Sequence, residues 1–158
     1  MQEPYYAIRA VALTLAIALA TSSTQKLGQL EARFARAGSA LERVRILARL
    51  GPLEVREARR ELDTGKFAEA LQRLQQYRDR ARQAYEQLHA HVLTPAKKPA
   101  GFKELEISLR ETLRQLDDAI ATAPFEYQND LKAVRADLNS LHARLLDDLF
   151  PSGGGKRK

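Results

Sequence analysis

The chain is predicted to be all-α: an antiparallel four-helix bundle of two long hairpins with an additional short N-terminal helix, preceded by a signal peptide. Three observations predict this. Apolar side chains recur at steps of three and four from Leu27 to Leu145, and no stretch alternates as a strand would. Ala, Leu, Arg, Gln and Glu dominate the composition, residues that lose little free energy on entering a helix. Gly and Pro are sparse, eight and six residues.

The N-terminal segment Ala10–Ala20 reads AVALTLAIALA, eleven uncharged residues after Arg9. Ala18-Leu19-Ala20 has the small residues of a cleavage site, and a polar run follows. As a helix this stretch would reach about 16 Å, well short of a ~30 Å hydrocarbon core. The expected division is therefore a signal peptide over 1–20, one helical-bundle domain over 21–150 and a flexible basic tail over 151–158. The alternatives are an uncleaved anchor or a buried helix. Cleavage would leave the domain periplasmic or secreted.

Helix one is expected at about 24–37, with Leu27, Leu30 and Phe34 on one face and Gly38 at its end. Ser39, with Glu42 three residues later, is a capping box that opens helix two. In helix two, Leu41, Val44, Ala48, Gly51, Val55, Ala58 and Leu62 share one phase straight through Pro52. A single helix over about 40–63, kinked where the proline removes a hydrogen bond, explains that phase; a break there is the alternative. Asp63-Thr64-Gly65 is a turn. Helix three follows at about 66–92, seamed by Phe67, Ala70, Leu74, Tyr77, Ala81, Ala84 and Leu88. Residues 93–101 form a loop. Helix four is expected at about 102–122. Pro124 suits the start of helix five at about 125–149, where its missing N–H is no loss.

Residues Ala58, Leu62, Gly65, Lys66, Phe67, Ala70, Leu71 and Leu74 resemble the middle of a tetratricopeptide repeat, which implies close packing of two helices across a glycine turn. The match covers under twenty residues. Glu54 stands at the repeat's early aromatic position and Arg82 at its closing proline, and no second copy follows at the expected period. The stretch Lys97–Ile107 together with Leu146–Pro151 resembles small exported all-helical bacterial proteins of unassigned function. That resemblance implies a helical fold and export, and no catalytic site.

Few residues of the chain point to chemistry. Cysteine is absent, which excludes disulfides, thiolate metal sites and cysteine nucleophiles. His89 and His91 are two apart and diverge on a helix, so they do not chelate as an i, i+4 pair does. His91 is expected on the seam of helix three as a half-buried imidazole, and His142 beside the seam of helix five. Asp117-Asp118 and Asp147-Asp148 sit near helix ends; they read as solvated, paired with Arg114 and Arg144, or else as a divalent-ion site. No phosphate loop, HExxH or GxSxG occurs. No cofactor, metal or catalytic residue is expected, and the chain is read as a non-enzyme.

The formal net charge is +6, unevenly spread: residues 26–82 carry 14 Lys/Arg against 8 Asp/Glu, and residues 83–150 carry 8 against 11. On helix two, Arg45, Arg49, Arg56 and Arg59 project to one side beside the seam, and Arg60 borders them. They read either as a solvated face with local pairs such as Glu57–Arg60, or as a contact for an anionic partner: lipid headgroups, an acidic wall polymer or an acidic protein. Nucleic acid is not expected, since no aromatic residues interleave with the arginines. Ile46, Leu50 and Leu53 form a second apolar stripe on helix two. Helix one either covers it or leaves it as a partner interface. The functional expectation is a protein-interaction or structural module of the cell envelope, with binding of anionic surfaces through the basic face as the alternative.

Overall fold

A computed structural model describes residues 25–91 and 95–151. The export segment Ala10–Ala20 and tail residues 152–158 lie outside them. Five helices and no strand occur among the described residues. They are α1 (25–36), α2 (Ala40–Asp63), α3 (Phe67–His91), α4 (Phe102–Thr122) and α5 (Phe125–Leu149). None is long and apolar enough to cross a membrane.

Local chemistry sets the ends. The Ser39 hydroxyl accepts from the Glu42 N–H at 3.2 Å. The Glu42 carboxylate accepts from the Gly38 N–H at 3.1 Å, so the capping box closes one residue further out than usual. At the other end of α2, Lys66 N–H reaches the Glu61 carbonyl and Gly65 N–H the Leu62 carbonyl. This is a Schellman closure, which needs the left-handed backbone of Gly65 at φ 76°. Pro124 caps α5 in extended conformation.

Helix α2 runs unbroken through Pro52. The proline leaves the Ala48 carbonyl without its usual i+4 donor. Gly51 beside it is where three helices converge: a Cβ there would lie 2.7 Å from Thr112 Oγ1 on α4 and 2.9 Å from the Tyr77 hydroxyl on α3. Those two hydroxyls are fully or nearly fully buried and hydrogen-bonded at 3.1 Å. The core's polar pair therefore depends on the missing side chain at position 51.

Helix α2 packs on α3 and α4, and α5 packs on α4 and α3. Cross-contacts give the directions. Arg43 with Gln87 and Glu61 with Arg73 make α2 and α3 antiparallel. Glu106 with His142 and Asp117 with Arg135 do the same for α4 and α5. Arg45 with Glu104 sets α2 parallel to α4, in agreement with Gly51 against Thr112. Arg78 with Asp137 and Tyr85 with Asp148 set α3 parallel to α5. The two hairpins are antiparallel within themselves and lie side by side in the same orientation. The ten residues between His91 and Phe102 make this geometry accessible. They can span over 30 Å when extended, against a bundle diagonal of roughly 13 Å.

Helix α1 lies antiparallel to α2: Leu30 and Arg33 line a groove with Arg49 and Leu53, and Leu27 lines its continuation with Arg56 and Arg60. Its Leu27, Leu30 and Phe34 join one continuous apolar core with Ile46 and Leu50 of α2, Leu74 and Tyr77 of α3, Leu109 of α4 and Leu138 of α5. Each such fully buried Leu contributes about 1.5–3 kcal/mol relative to exposure.

Candidate functional site

Arg45, Arg49, Arg56, Arg59 and Arg60 are all exposed. Their spacing on α2 keeps them on one side, but their neighbours separate them. Arg45 leans toward α4, 3.6 Å from Glu104. Arg59 stands in solvent. Arg49, Arg56 and Arg60 border the groove between α1 and α2.

That groove encloses about 510 Å³. Lys26, Gln29 and Arg33 of α1 rim one side and Arg49 of α2 the other, over a floor of Leu30, Pro52 and Leu53. No carboxylate lines it. A smaller cavity of about 90 Å³ continues along the same two helices, lined by Leu27, Leu53, Arg56, Glu57 and Arg60. Arg60 is paired with Glu57. Lys26, Arg33, Arg49 and Arg56 form no ion pair among the described residues. The groove thus combines unneutralised cations with an apolar floor.

The apolar stripe of α2 is divided as well. Ile46 and Leu50 are buried with the apolar face of α1 and are closed to a partner in this arrangement. Leu53 alone of the three stays half-buried and reaches the groove. Leu27, Leu30 and Phe34 of α1 are buried in the same core as Ile46 and Leu50.

A charged network that sequence reasoning missed joins α1, α2 and α3. Glu54 of α2 is 0% exposed. Arg80 Nη1 donates to its Oε1 at 2.6 Å and Arg73 Nη1 to its Oε2 at 3.1 Å. Arg73 also forms two bonds to Glu61, at 3.0 and 2.7 Å, and Arg80 Nη2 reaches Glu31 of α1 at 2.6 Å. Three carboxylates and two guanidiniums on three helices alternate in one chain. Burial pushes the Glu54 carboxyl above the ordinary carboxylate range, against the pull of Arg73 and Arg80. The Arg73 guanidinium is held charged, chiefly by its bonds to Glu61. Glu54 falls next to Val55 on the inward side of α2, and Arg73 and Arg80 are seven apart on α3. That spacing was the available signal.

The histidines fall elsewhere. His91 is exposed, not half-buried on the seam as expected, because α3 ends there. His89 takes the inward position, 2.7 Å from Asp148 and edge-on to Phe102. The Tyr85 hydroxyl donates to the same Asp148 oxygen at 2.9 Å. Burial, with Asp148 adding to it, pushes the Tyr85 hydroxyl up to about 12. His142 is 3.0 Å from Glu106. These pairs tie α5 to α3 and α4. The acidic pairs do not fold back on Arg114 and Arg144: Asp117 meets Arg135, Asp148 meets Tyr85 and His89, and Arg114 meets Glu111. No three His, Asp or Glu side chains are grouped to hold a metal among the described residues.

Another arginine-lined cavity, about 270 Å³, lies between α3 and α5 and includes Arg78, Arg82 and Arg144. Asp137 lines it too and neutralises Arg78 at 3.0 Å. The α1–α2 groove is therefore the more strongly cationic of the two. No family model matches the chain, and comparison with curated proteins and with solved structures found no match.

Proposed function

We propose that this protein is a non-enzymatic binding module, exported from the cytoplasm, that receives an anionic partner in the groove between α1 and α2. In this reading α2–α5 form a four-helix bundle of two hairpins, and α1 is the added helix that builds one wall of the site. The observation that carries the proposal is the composition of the 510 Å³ groove: Lys26, Arg33 and Arg49 over Leu30, Pro52 and Leu53, with no carboxylate in the lining. Cations left unpaired beside a low-dielectric floor focus the local field and draw anionic groups in. Export removes nucleic acid from the polyanions the site would meet and leaves acidic proteins, wall polymers and lipid headgroups.

The test is binding of the full chain to poly-L-glutamate at low and high salt. Binding at about 50 mM salt should weaken severalfold at about 300 mM, as the Debye length shrinks. Arg49→Glu with Arg56→Glu should abolish it, whereas Arg82→Glu with Arg144→Glu in the α3–α5 cavity should not. Equal loss from both pairs would reduce the effect to net charge and overturn the site. Export is tested separately by fractionating cells that express the chain with and without residues 10–20.

A further inference from the structure

We infer that the occupant of the α1–α2 groove is an acidic amphipathic helix of a partner protein, about three turns long, lying along the groove with its apolar stripe on Leu30 and Leu53. The inference rests on the anionic-partner reading above and narrows it to one class. Three observations carry it.

The first is shape. The floor is recessed: Leu27 and Leu30 are buried and Leu53 half-buried. The large exposed apolar side chains, Ile107 at 46%, Phe125 at 82% and Phe150 at 72%, all belong to α4, α5 and the residue after it. A bilayer surface needs projecting apolar groups to take up, and this face offers none. A recessed floor is instead reached by side chains that project from the partner, as in helix-in-groove recognition.

The second is length. The two cavities share Leu53 and run in line along α1 and α2. From Arg49 to Arg60 the helix rises about 16 Å, three turns. A partner helix places apolar side chains at i, i+3 or i+4, and i+7 over that distance, which matches a larger and a smaller cavity in succession.

The third is the spacing of charge. Lys26 and Arg33 on the α1 wall are seven residues apart, as are Arg49 and Arg56 on the α2 wall. Two cationic rows at a seven-residue repeat, flanking an apolar seam, complement acidic residues on both flanks of a helix's apolar stripe. This is the pairing logic of the flanking positions in helical coils. A flexible polyanion or a lipid headgroup would use the charge without using its repeat.

The experiment uses the full chain and fluorescence anisotropy with synthetic 14-residue peptides. One set carries Leu or Phe at i, i+3 and i+7 with glutamates on both flanks; a control set has the same composition with the apolar residues dispersed around the helix. Phosphatidylglycerol vesicles are the third probe. The patterned peptides should bind at least about tenfold tighter than the dispersed ones. Lys26→Glu with Arg33→Glu, and Arg49→Glu with Arg56→Glu, should each remove that advantage, the loss coming mainly from charge reversal at the rim. Equal binding of patterned and dispersed peptides would overturn this inference and leave the anionic-partner reading standing. Binding to vesicles without binding to patterned peptides would overturn it in favour of lipid. Failure of every anionic probe, including poly-L-glutamate, would remove both.

Discussion

The two hairpins handle charge in opposite ways. In α2–α3 a carboxylate with no solvent exposure, Glu54, is enclosed by Arg73 and Arg80. In α4–α5 the carboxylate–arginine pairs Asp117–Arg135 and Glu111–Arg114 lie on the surface, and the buried Glu106 meets His142 and no buried arginine. The carboxyl pKa directions follow. Burial drives Glu54 up, while bonds to Arg135 and Arg114 drive Asp117 and Glu111 down. The pairs are chemically alike, and what differs is cover. Helix α1 closes over the first hairpin and contributes Glu31 to its network, while no such helix covers the outer side of the second. An ion pair's sign and weight are thus set by the helix above it as much as by its own geometry.

Substitutions test whether cover sets this difference. The largest effect is expected where α1 covers α2. Leu50→Asp places a carboxylate at a position with 0% exposure and should abolish cooperative thermal unfolding, while Ile107→Asp on the uncovered α4, 46% exposed, should leave a near-native melt. An unchanged melt for Leu50→Asp would mean that α1 does not stay on α2 in solution. Next comes the network itself. Arg73→Met strands Glu61 and leaves Glu54 with Arg80 alone, and should cost about 3–5 kcal/mol by denaturant titration, against about 1 kcal/mol or less for Arg135→Met. Similar losses for the two would erase the distinction between the hairpins.

Gly51→Ala should follow. The added methyl meets two buried hydroxyls inside 3.0 Å, and overpacking of about 1–3 kcal/mol should exceed the helix-propensity gain of about 1 kcal/mol. Thr112→Ser with Gly51→Ala would fail to recover that loss, because Oγ and the Tyr77 hydroxyl remain in place.

The smallest effect is in the acid limb, and it has opposite signs in the two hairpins. Glu54's folded pKa is raised, so its contribution is fully present below the unfolded value of about 4.3 and is lost as pH rises through the folded one. Asp117's is lowered, so its contribution is present above about 3.9 and is lost as pH falls through the folded value. Stability differences from Glu54→Gln and Asp117→Asn, plotted against pH, should therefore slope in opposite directions. Parallel slopes would show that burial does not dominate at Glu54.

Much of the helical pattern was legible in the sequence, for a physical reason. The α2 seam kept its phase through Pro52 because a proline removes one hydrogen bond without changing which side chains face inward. Ser39 and Gly65 marked their helix ends through local chemistry that needs no tertiary partner. Which helices of the two hairpins become neighbours was not legible, because a ten-residue connection permits several arrangements. Glu54 was invisible for a related reason: a lone carboxylate beside a seam acquires meaning only when Arg73 and Arg80 arrive from another helix. Of the basic face, the five arginines were found but not their separation. The sequence could not say that Arg45 turns to Glu104, or that Lys26 and Arg33 supply the opposite wall.

The parallel placement of the hairpins also bears on how the chain folds. Hydrogen bonds from α3 to α5 join residues 59 and 63 positions apart, whereas Arg73 finds Glu61 only 12 positions away. Loop-closure entropy grows as the logarithm of loop length, so the longer closure costs about 1.4 kcal/mol more, a factor of about ten in encounter probability. The α2–α3 turn region can therefore form its ionic contacts before the second hairpin docks. The search between hairpins then becomes the slow event, and it ends only when a correctly shaped first hairpin already exists to receive the second.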